Sequence, residues 1–325
     1  MDDFLKSFLT LKKIIISDEL ASEYMLELLC LTNIACELGI TSAVAEKERW
    51  LNGDFGLEGE NDHVQEAENT EFADGANSGK KEECDRDYIL GHNMVMVSSD
   101  KYMLKTASEK GLATVGIYEP GTEPDMDMKC DILVEGMDDV DVYFLDRISK
   151  RKEKLPWITA VTERTYLREM TLSDLDRLYE IYAEHGMTDY VEDLFARDEE
   201  EEYIKHYIDN MYFFYGYGMW LVCLKDTGEI IGRAGIEQRN TSGDTLLEMG
   251  YLISARYQHQ GYASEVIDEL IRFAKDNLYD FDSINVFIRP GNDASVNLIK
   301  HKGFEDAGCG EGDVAGLLRF TLRLE

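Results

Sequence analysis

No stretch of about twenty consecutive apolar residues, the length needed to cross a bilayer, occurs in this sequence, so no membrane span is expected. The opening residues Met1-Asp2-Asp3-Phe4 lack the basic, apolar, small-residue order of a secretion signal, and a cytoplasmic location is expected. Positive charge is scarce: 33 lysines and arginines face 66 aspartates and glutamates, for a formal net charge of -33. Holding a phosphate backbone requires clustered cations, so nucleic acid is excluded as a partner class. Paired cysteines are missing as well. Cys30, Cys36, Cys84, Cys130, Cys223 and Cys309 occur without a C-x-x-C spacing or interleaved histidines, which predicts neither a metal site nor a disulfide framework. Cys30 and Cys36 fall in an apolar helical stretch, where a reduced thiol packs as a small hydrophobe.

What is present divides into two parts. At 325 residues the chain is long enough for two domains, each with its own core. The junction is expected at Leu155-Pro156-Trp157, giving domains 1–155 and 160–325. Residues 53–87 are dense in Glu, Asp, Asn and Gly with few large apolar side chains, and read as a disordered acidic insert. Around it the first domain alternates strands and helices. Strands are expected at Lys12–Ile16, Asn93–Val97, Ala113–Tyr118 and Asp131–Val134, and helices at Glu19–Leu38, Lys101–Lys110 and Asp139–Lys152. Such alternation predicts an α/β domain with a parallel, Rossmann-like sheet.

The second domain reads as α+β. Helices are expected at Leu172–His185 and Glu199–Met211, then strands at Trp220–Lys225, Ile230–Arg239 and Leu246–Ser254, with Asp226-Thr227-Gly228 as a hairpin turn. The stretch Gln258-His259-Gln260-Gly261-Tyr262-Ala263-Ser264-Glu265 follows, joining the last of these strands to an amphipathic helix over Ala263–Leu278. The first turn of a helix leaves N–H groups without intrahelical partners and carries the positive end of the helix dipole. A glycine lets the backbone bend, and a small residue two positions on keeps the approach open, so the junction suits a phosphate-bearing cofactor. A further strand is expected at Ser283–Arg289. Asn292 and Ser295 then open another helix after Pro290-Gly291.

From about Arg164 to the C-terminus the chain resembles the GNAT N-acetyltransferase superfamily, particularly its ribosomal-protein and small-amine branch. The resemblance rests on four ordered motifs. They are Thr165–Asp174; the strand pair containing Ile230–Ile236 and Leu247–Ile253; the Gln-x-x-Gly-x-Ala loop at Gln258–Ala263; and Pro290–Ser295 with His301-Lys302-Gly303-Phe304. It implies an α+β fold with a mixed, mainly antiparallel sheet and acetyl-CoA as cosubstrate. The implied acceptor is a primary amine, on a small molecule or a peptide, attacking the thioester directly. It further implies that Glu248 acts as base and that the backbone N–H of Leu252 faces the thioester oxygen. Gln258, His259, Gln260, Gly261, Tyr262, Ala263 and Ser264 would hold the cofactor phosphates, and Asn292 and Ser295 its pantetheine arm. One departure stands out: Ile299 occupies the place where many members carry a tyrosine that protonates the leaving thiolate, which leaves the general acid unassigned. In the first domain, Ser98–Lys105 with Gly111–Gly116 resembles haloacid-dehalogenase-like hydrolases. The pair of acids required for that chemistry is broken at Asp18-Glu19-Leu20, so a noncatalytic domain for regulation, docking or dimerisation is expected.

Three other features have plain structural readings. Asp198–Glu202 reads as a solvated helix start favoured by the dipole, with attraction of a cationic substrate as the sharper alternative. The aromatic residues Tyr207, Tyr212, Phe213, Phe214, Tyr215 and Tyr217 read as core beside strands, and Arg233 as a sheet-face charge paired with a nearby acid. For the whole chain the expectation is an N-acetyltransferase, without metal and with a homodimer as the assembly to consider. The alternatives are an acetyl-CoA-binding sensor without catalysis and a bifunctional protein with phosphohydrolase activity.

Overall fold

Residues 6–45, 47–52, 93–240, 245–310 and 314–324 are described by the computed structural model; the acidic segment 53–87 and Cys84 lie outside them. The chain divides into two compact units, Met1–Leu155 and Pro156–Glu325.

The first unit is built on strands β1 (Lys13–Ser17), β2 (Thr41–Ala45), β3 (Met94–Ser98), β4 (Ala113–Tyr118) and β5 (Ile132–Glu135). All pair in parallel, in the order β2-β1-β3-β4-β5, an order typical of doubly wound sheets. Parallel strands covered on both sides are apolar almost throughout, and here alternate residues feed two cores. Ile14, Ile16, Val95, Val97 and Val115 pack with Leu20 of α1 (Asp18–Glu23), Leu28 and Leu31 of α2 (Met25–Glu37), and Leu145 of a later helix. On the opposite face Ile15 and Met96 pack with Met103, Leu104 and Ala107. After α3 (Lys47–Leu51), those last three residues belong to α4 (Lys101–Glu109); Leu145 belongs to α5 (Val142–Lys152). The single helix expected over Glu19–Leu38 is instead two, broken at Tyr24, whose φ of -115° and ψ of 44° leave the helical region. Strand β2 has too few large apolar residues for periodicity to reveal it.

The second unit carries β6 (Ile158–Val161), β7 (Thr165–Arg168), α6 (Leu175–Tyr182), α7 (Arg197–Tyr207), β8 (Met219–Leu224), β9 (Ile230–Asn240) and β10 (Thr245–Ile253). It continues through α8 (Tyr262–Asn277), β11 (Ser283–Ile288), α9 (Asp293–His301), β12 (Glu305–Cys309) and β13 (Leu318–Arg323). Its eight strands lie in the order β12-β13-β11-β10-β9-β8-β7-β6. Every neighbouring pair is antiparallel except β10 and β11, so the sheet is mixed and mainly antiparallel. Trp220, Ala234 and Tyr251 stand opposite one another across β8, β9 and β10 and share one sheet face. Trp220 meets Phe273 of α8 edge to face at 5.0 Å between ring centroids, which places α8 on that side. Arg233 and Leu252, also paired in register, belong to the other face, where the Arg233 guanidinium lies over the Tyr182 ring of α6.

Among the described residues no helix is long and apolar enough to cross a membrane, and no group of three or more His, Cys, Asp or Glu could hold a metal ion.

Candidate active site

The cleft of the second unit originates in how β10 and β11 pair. They run parallel only where Leu247 meets Ile284 and Glu248 meets Asn285, and then their ladder ends. Buried Asn285 fastens the closed end. Its amide donates to the Leu247 carbonyl at 3.1 Å, and its Oδ1 accepts from Arg319 Nε at 3.0 Å and Thr321 Oγ1 at 2.8 Å. Beyond that point lies a cleft of about 480 Å³, lined by the end of β10, the loop after it, the first turns of α8 and α9, and residues following α6.

The loop at the cleft mouth is shaped by backbone conformation. His259 and Gly261 adopt left-handed φ values of 59° and 88°. Gly261 is the N-cap residue of α8, and among the described residues no side chain caps that helix end, so its first N–H groups are open to an anionic ligand. Long-range contacts hold the loop in place. Glu265 in the first turn of α8 accepts from the Arg164 amide at 2.7 Å, Arg164 Nε at 2.7 Å and Thr162 Oγ1 at 2.5 Å. Arg164 also donates to the Gln260 carbonyl at 3.0 Å and lies 4.2 Å from the Tyr262 ring centroid. Gln258 Nε2 donates back to the Ile253 carbonyl at 2.9 Å, while Glu184 accepts from the Ala255 amide at 2.6 Å and from Ser254 Oγ at 2.8 Å.

Of the residues singled out in the sequence, Leu252, Gln258, His259, Gly261, Tyr262, Ala263, Ser264, Asn292 and Ser295 all line the cleft. Gln260 does not; its side chain donates to the Arg256 carbonyl at 2.8 Å. Asn292 caps α9, its Oδ1 accepting from the Ser295 amide at 3.1 Å. Glu248 is also outside the cleft lining, and its carboxylate is ion-paired with Arg239 on β9.

Ladder geometry fixes the direction of the Leu252 amide. The Ser254 amide donates to the Ile231 carbonyl at 2.8 Å, continuing the register that sets Leu252 against Arg233. In an antiparallel ladder the N–H and C=O of alternate residues point to the same neighbour. Leu252 therefore turns its N–H toward β9, and the groups on the β11 side belong to Tyr251 and Ile253. The Ile253 and Leu247 carbonyls, bonded by Gln258 and Asn285 side chains, obey the same alternation.

Tyr251 contributes a second feature that sequence reasoning missed. Its hydroxyl is buried and has no hydrogen-bond partner of good geometry among the described residues. Burial pushes its pKa up, with nearby Ser295 opposing the shift. An orphaned hydroxyl on a cleft wall is a donor awaiting an acceptor.

Other expectations need correction. Within Asp198–Glu202, Glu200 is buried and accepts from the Phe195 amide at 3.0 Å, while Glu201 and Glu202 pair with Arg197 and Lys205, so the run is not wholly a solvated face. Tyr207, Tyr212 and Tyr217 are buried as core residues, but Phe213, Phe214 and Tyr215 are exposed on a π-helical turn at Ile208–Tyr215. Arg233 has no acid within ion-pair distance among the described residues.

Residues 164–305 match the family described as the acetyltransferase (GNAT) domain. The uncharacterized protein YkkB of Bacillus subtilis (strain 168) is 32% identical over 89 residues, which are 27% of this chain and only 51% of that relative. The uncharacterized N-acetyltransferase p20 of Bacillus licheniformis is 27% identical over 154 residues, 46% of this chain and 84% of its own. A solved acetyltransferase from Agrobacterium tumefaciens str. C58 is 22% identical, covering 51% of this chain and 94% of that one, with a TM-score of 0.43. None of these matches supports the haloacid-dehalogenase resemblance of the first unit. The C-terminal half of the chain thus carries a GNAT acetyltransferase domain over residues 164–305.

Proposed function

We propose that the chain is an N-acetyltransferase that moves an acetyl group from acetyl-CoA to a primary amine by direct attack. The observation that carries this reading is the short β10–β11 pairing. It leaves the Tyr251 and Ile253 amides on the open side, next to a helix start that, among the described residues, no side chain caps. The residues present fit a CoA thioester. Uncapped N–H groups suit its phosphates, and the Tyr251 hydroxyl suits its sulfur.

Acetyl-CoA, when bound, supplies an activated acyl carbon attached to sulfur. The Tyr251 N–H is assigned to the carbonyl oxygen, where a fixed donor contributes about 3 kcal/mol to a transition state. As the new C–N bond forms and the C–S bond breaks, sulfur departs with the bonding pair, and the Tyr251 hydroxyl gives it a proton. Glu248 is retained as the base. Acting through water, it takes the proton that the amine loses, while Arg239 holds its carboxylate in place. Asn292 and Ser295 border the path of the pantetheine arm. The first unit is assigned a Rossmann-like, noncatalytic role.

Calorimetric titration of acetyl-CoA into the full chain, with desulfo-CoA and ATP as comparison ligands, tests the reading. Micromolar CoA-selective binding followed by acetylation of an amine is expected. Absence of binding by folded protein overturns it, and selective binding without turnover of any amine leaves a sensor.

A further inference from the structure

Arg233 is a charged group on the β9–β10 face that the proposed acetyl transfer does not employ. It stands directly opposite Leu252, a residue of the cleft wall, so the two side chains are neighbours on the sheet face away from α8. Its surroundings are tyrosines. The guanidinium lies 5.6 Å from the Tyr182 ring centroid, with Tyr203 and Tyr207 also in its field.

Among the described residues no carboxylate lies within ion-pair distance of it, although the charge of Glu237 acts on it. Glu237 accepts from the Tyr207 hydroxyl at 2.5 Å, Glu248 pairs with Arg239, Glu200 accepts from the Phe195 amide, and Glu184 holds Ser254 and Ala255. By contrast Arg164, Arg168, Arg177, Arg197, Arg239 and Arg272 each have a carboxylate partner. Tyr182, Tyr203, Tyr207 and Glu237 favour its charged form against the cost of burial, while the planar fork of the guanidinium has no carboxylate seated on it among the described residues. Arg233 keeps partial exposure, and Tyr203 beside it is 44% exposed, so a small ligand can reach it.

We infer that Arg233 binds a carboxylate on the amine acceptor, which makes the preferred substrate a small amino acid or similar zwitterion. This rests on the acetyltransferase reading. A planar guanidinium matches the two oxygens of a carboxylate. A phosphate dianion would call for more positive charge than one arginine supplies beside Glu237. The Asp198–Glu202 run gives little support to a purely cationic acceptor, because three of its acids are engaged locally.

The test uses the full chain saturated with acetyl-CoA, after its binding has been measured separately. Free L-amino acids, their carboxamides and the matching decarboxylated amines are compared as acceptors by steady-state turnover and by calorimetric binding. The carboxylate form should be preferred by about tenfold or more in kcat/KM. R233Q should erase that preference mainly through KM, and R233K should restore part of it, with acetyl-CoA affinity unchanged in both. Equal handling of acid and amide by the unaltered chain, an unchanged preference in CoA-binding R233Q, or binding of acetyl-CoA with no carboxylate-bearing amine bound or turned over would each overturn the inference. Failure to bind acetyl-CoA would instead count against the acetyltransferase reading itself.

Discussion

Glu248 stands directly across the β9–β10 ladder from Glu237, yet the two carboxylates serve different partners: Arg239 takes Glu248 and the Tyr207 hydroxyl takes Glu237. Like charges placed opposite one another destabilise a sheet. Separate partners relieve that repulsion and leave two acids on the face where an acceptor would meet the acyl carbon.

Glu248→Gln tests which of them handles the proton. If Glu248 is the base, kcat should fall by about 10²-fold or more while acetyl-CoA affinity holds. Glu237→Gln should mainly loosen Tyr207 and cost stability. Steady-state kinetics and thermal unfolding of both variants distinguish the outcomes, and an active Glu248→Gln enzyme transfers the role away from that residue.

Gly261→Ala should weaken cofactor binding more than it weakens the fold. Its φ of 88° is unfavourable for any residue with a Cβ, and the added carbon would sit 3.3 Å from Arg164 Nη2. The conformational strain is about 1–2 kcal/mol, relieved if the loop shifts and takes the α8 N–H groups with it. Calorimetry should show roughly tenfold lower acetyl-CoA affinity, equivalent to about 1.4 kcal/mol, beside a small drop in Tm.

How far these features could be read from sequence depends on how local they are. Ala113–Tyr118 appears as a strand with its expected boundaries because five of its six residues are buried and Gly111 ends the helix before it. The junction at Gln258–Ser264 is also a local pattern, and all of it but Gln260 reaches the cleft. By contrast, β12 is exposed along its whole length and carries no apolar period to detect. Arg164 and Glu184 act on the loop across sequence separations of 101 and 71 residues, which no motif encodes. That the Leu252 N–H points to β9 and the Tyr251 N–H away from it is a matter of ladder parity, and parity follows from which residues of β9 and β10 bond, not from composition.

Acid should loosen the second unit through Asp174. Burial alone pushes this carboxyl up, but the hydrogen bond and charge of Arg168, with the Thr171 donors, outweigh burial and hold it below the usual carboxylate range. A depressed folded-state value means that the stabilisation is complete above the unfolded carboxylate range near pH ~4. It is lost as pH falls through the lowered value. Arg168→Met would strand a mostly buried carboxylate, costing about 3 kcal/mol at neutral pH; burial would then raise its folded value, so the penalty should shrink as acid protonates it. Denaturant unfolding followed by circular dichroism across pH checks both effects, and a stability difference between the two chains that does not narrow in acid would show that Asp174 does not govern it.

Tyr251→Phe separates chemistry from architecture most cleanly, because among the described residues the hydroxyl it removes has only Ser295 nearby and no hydrogen bond of good geometry. The ring stays and the shape is kept, while a buried donor without a partner disappears, so Tm should be unchanged or slightly higher. Its backbone N–H also stays, preserving the donor assigned to the thioester oxygen. What is lost is the proton for departing sulfur. A thiol is a good leaving group, with a pKa near 8.5 for a cysteine-like case, so the penalty belongs at the low end for general acids, about 10²-fold in kcat. KM for acetyl-CoA should change little, and any alkaline fall in kcat due to this tyrosine should vanish in the variant. Full activity with an unaltered pH profile would return the proton to solvent and leave Tyr251 with only its amide.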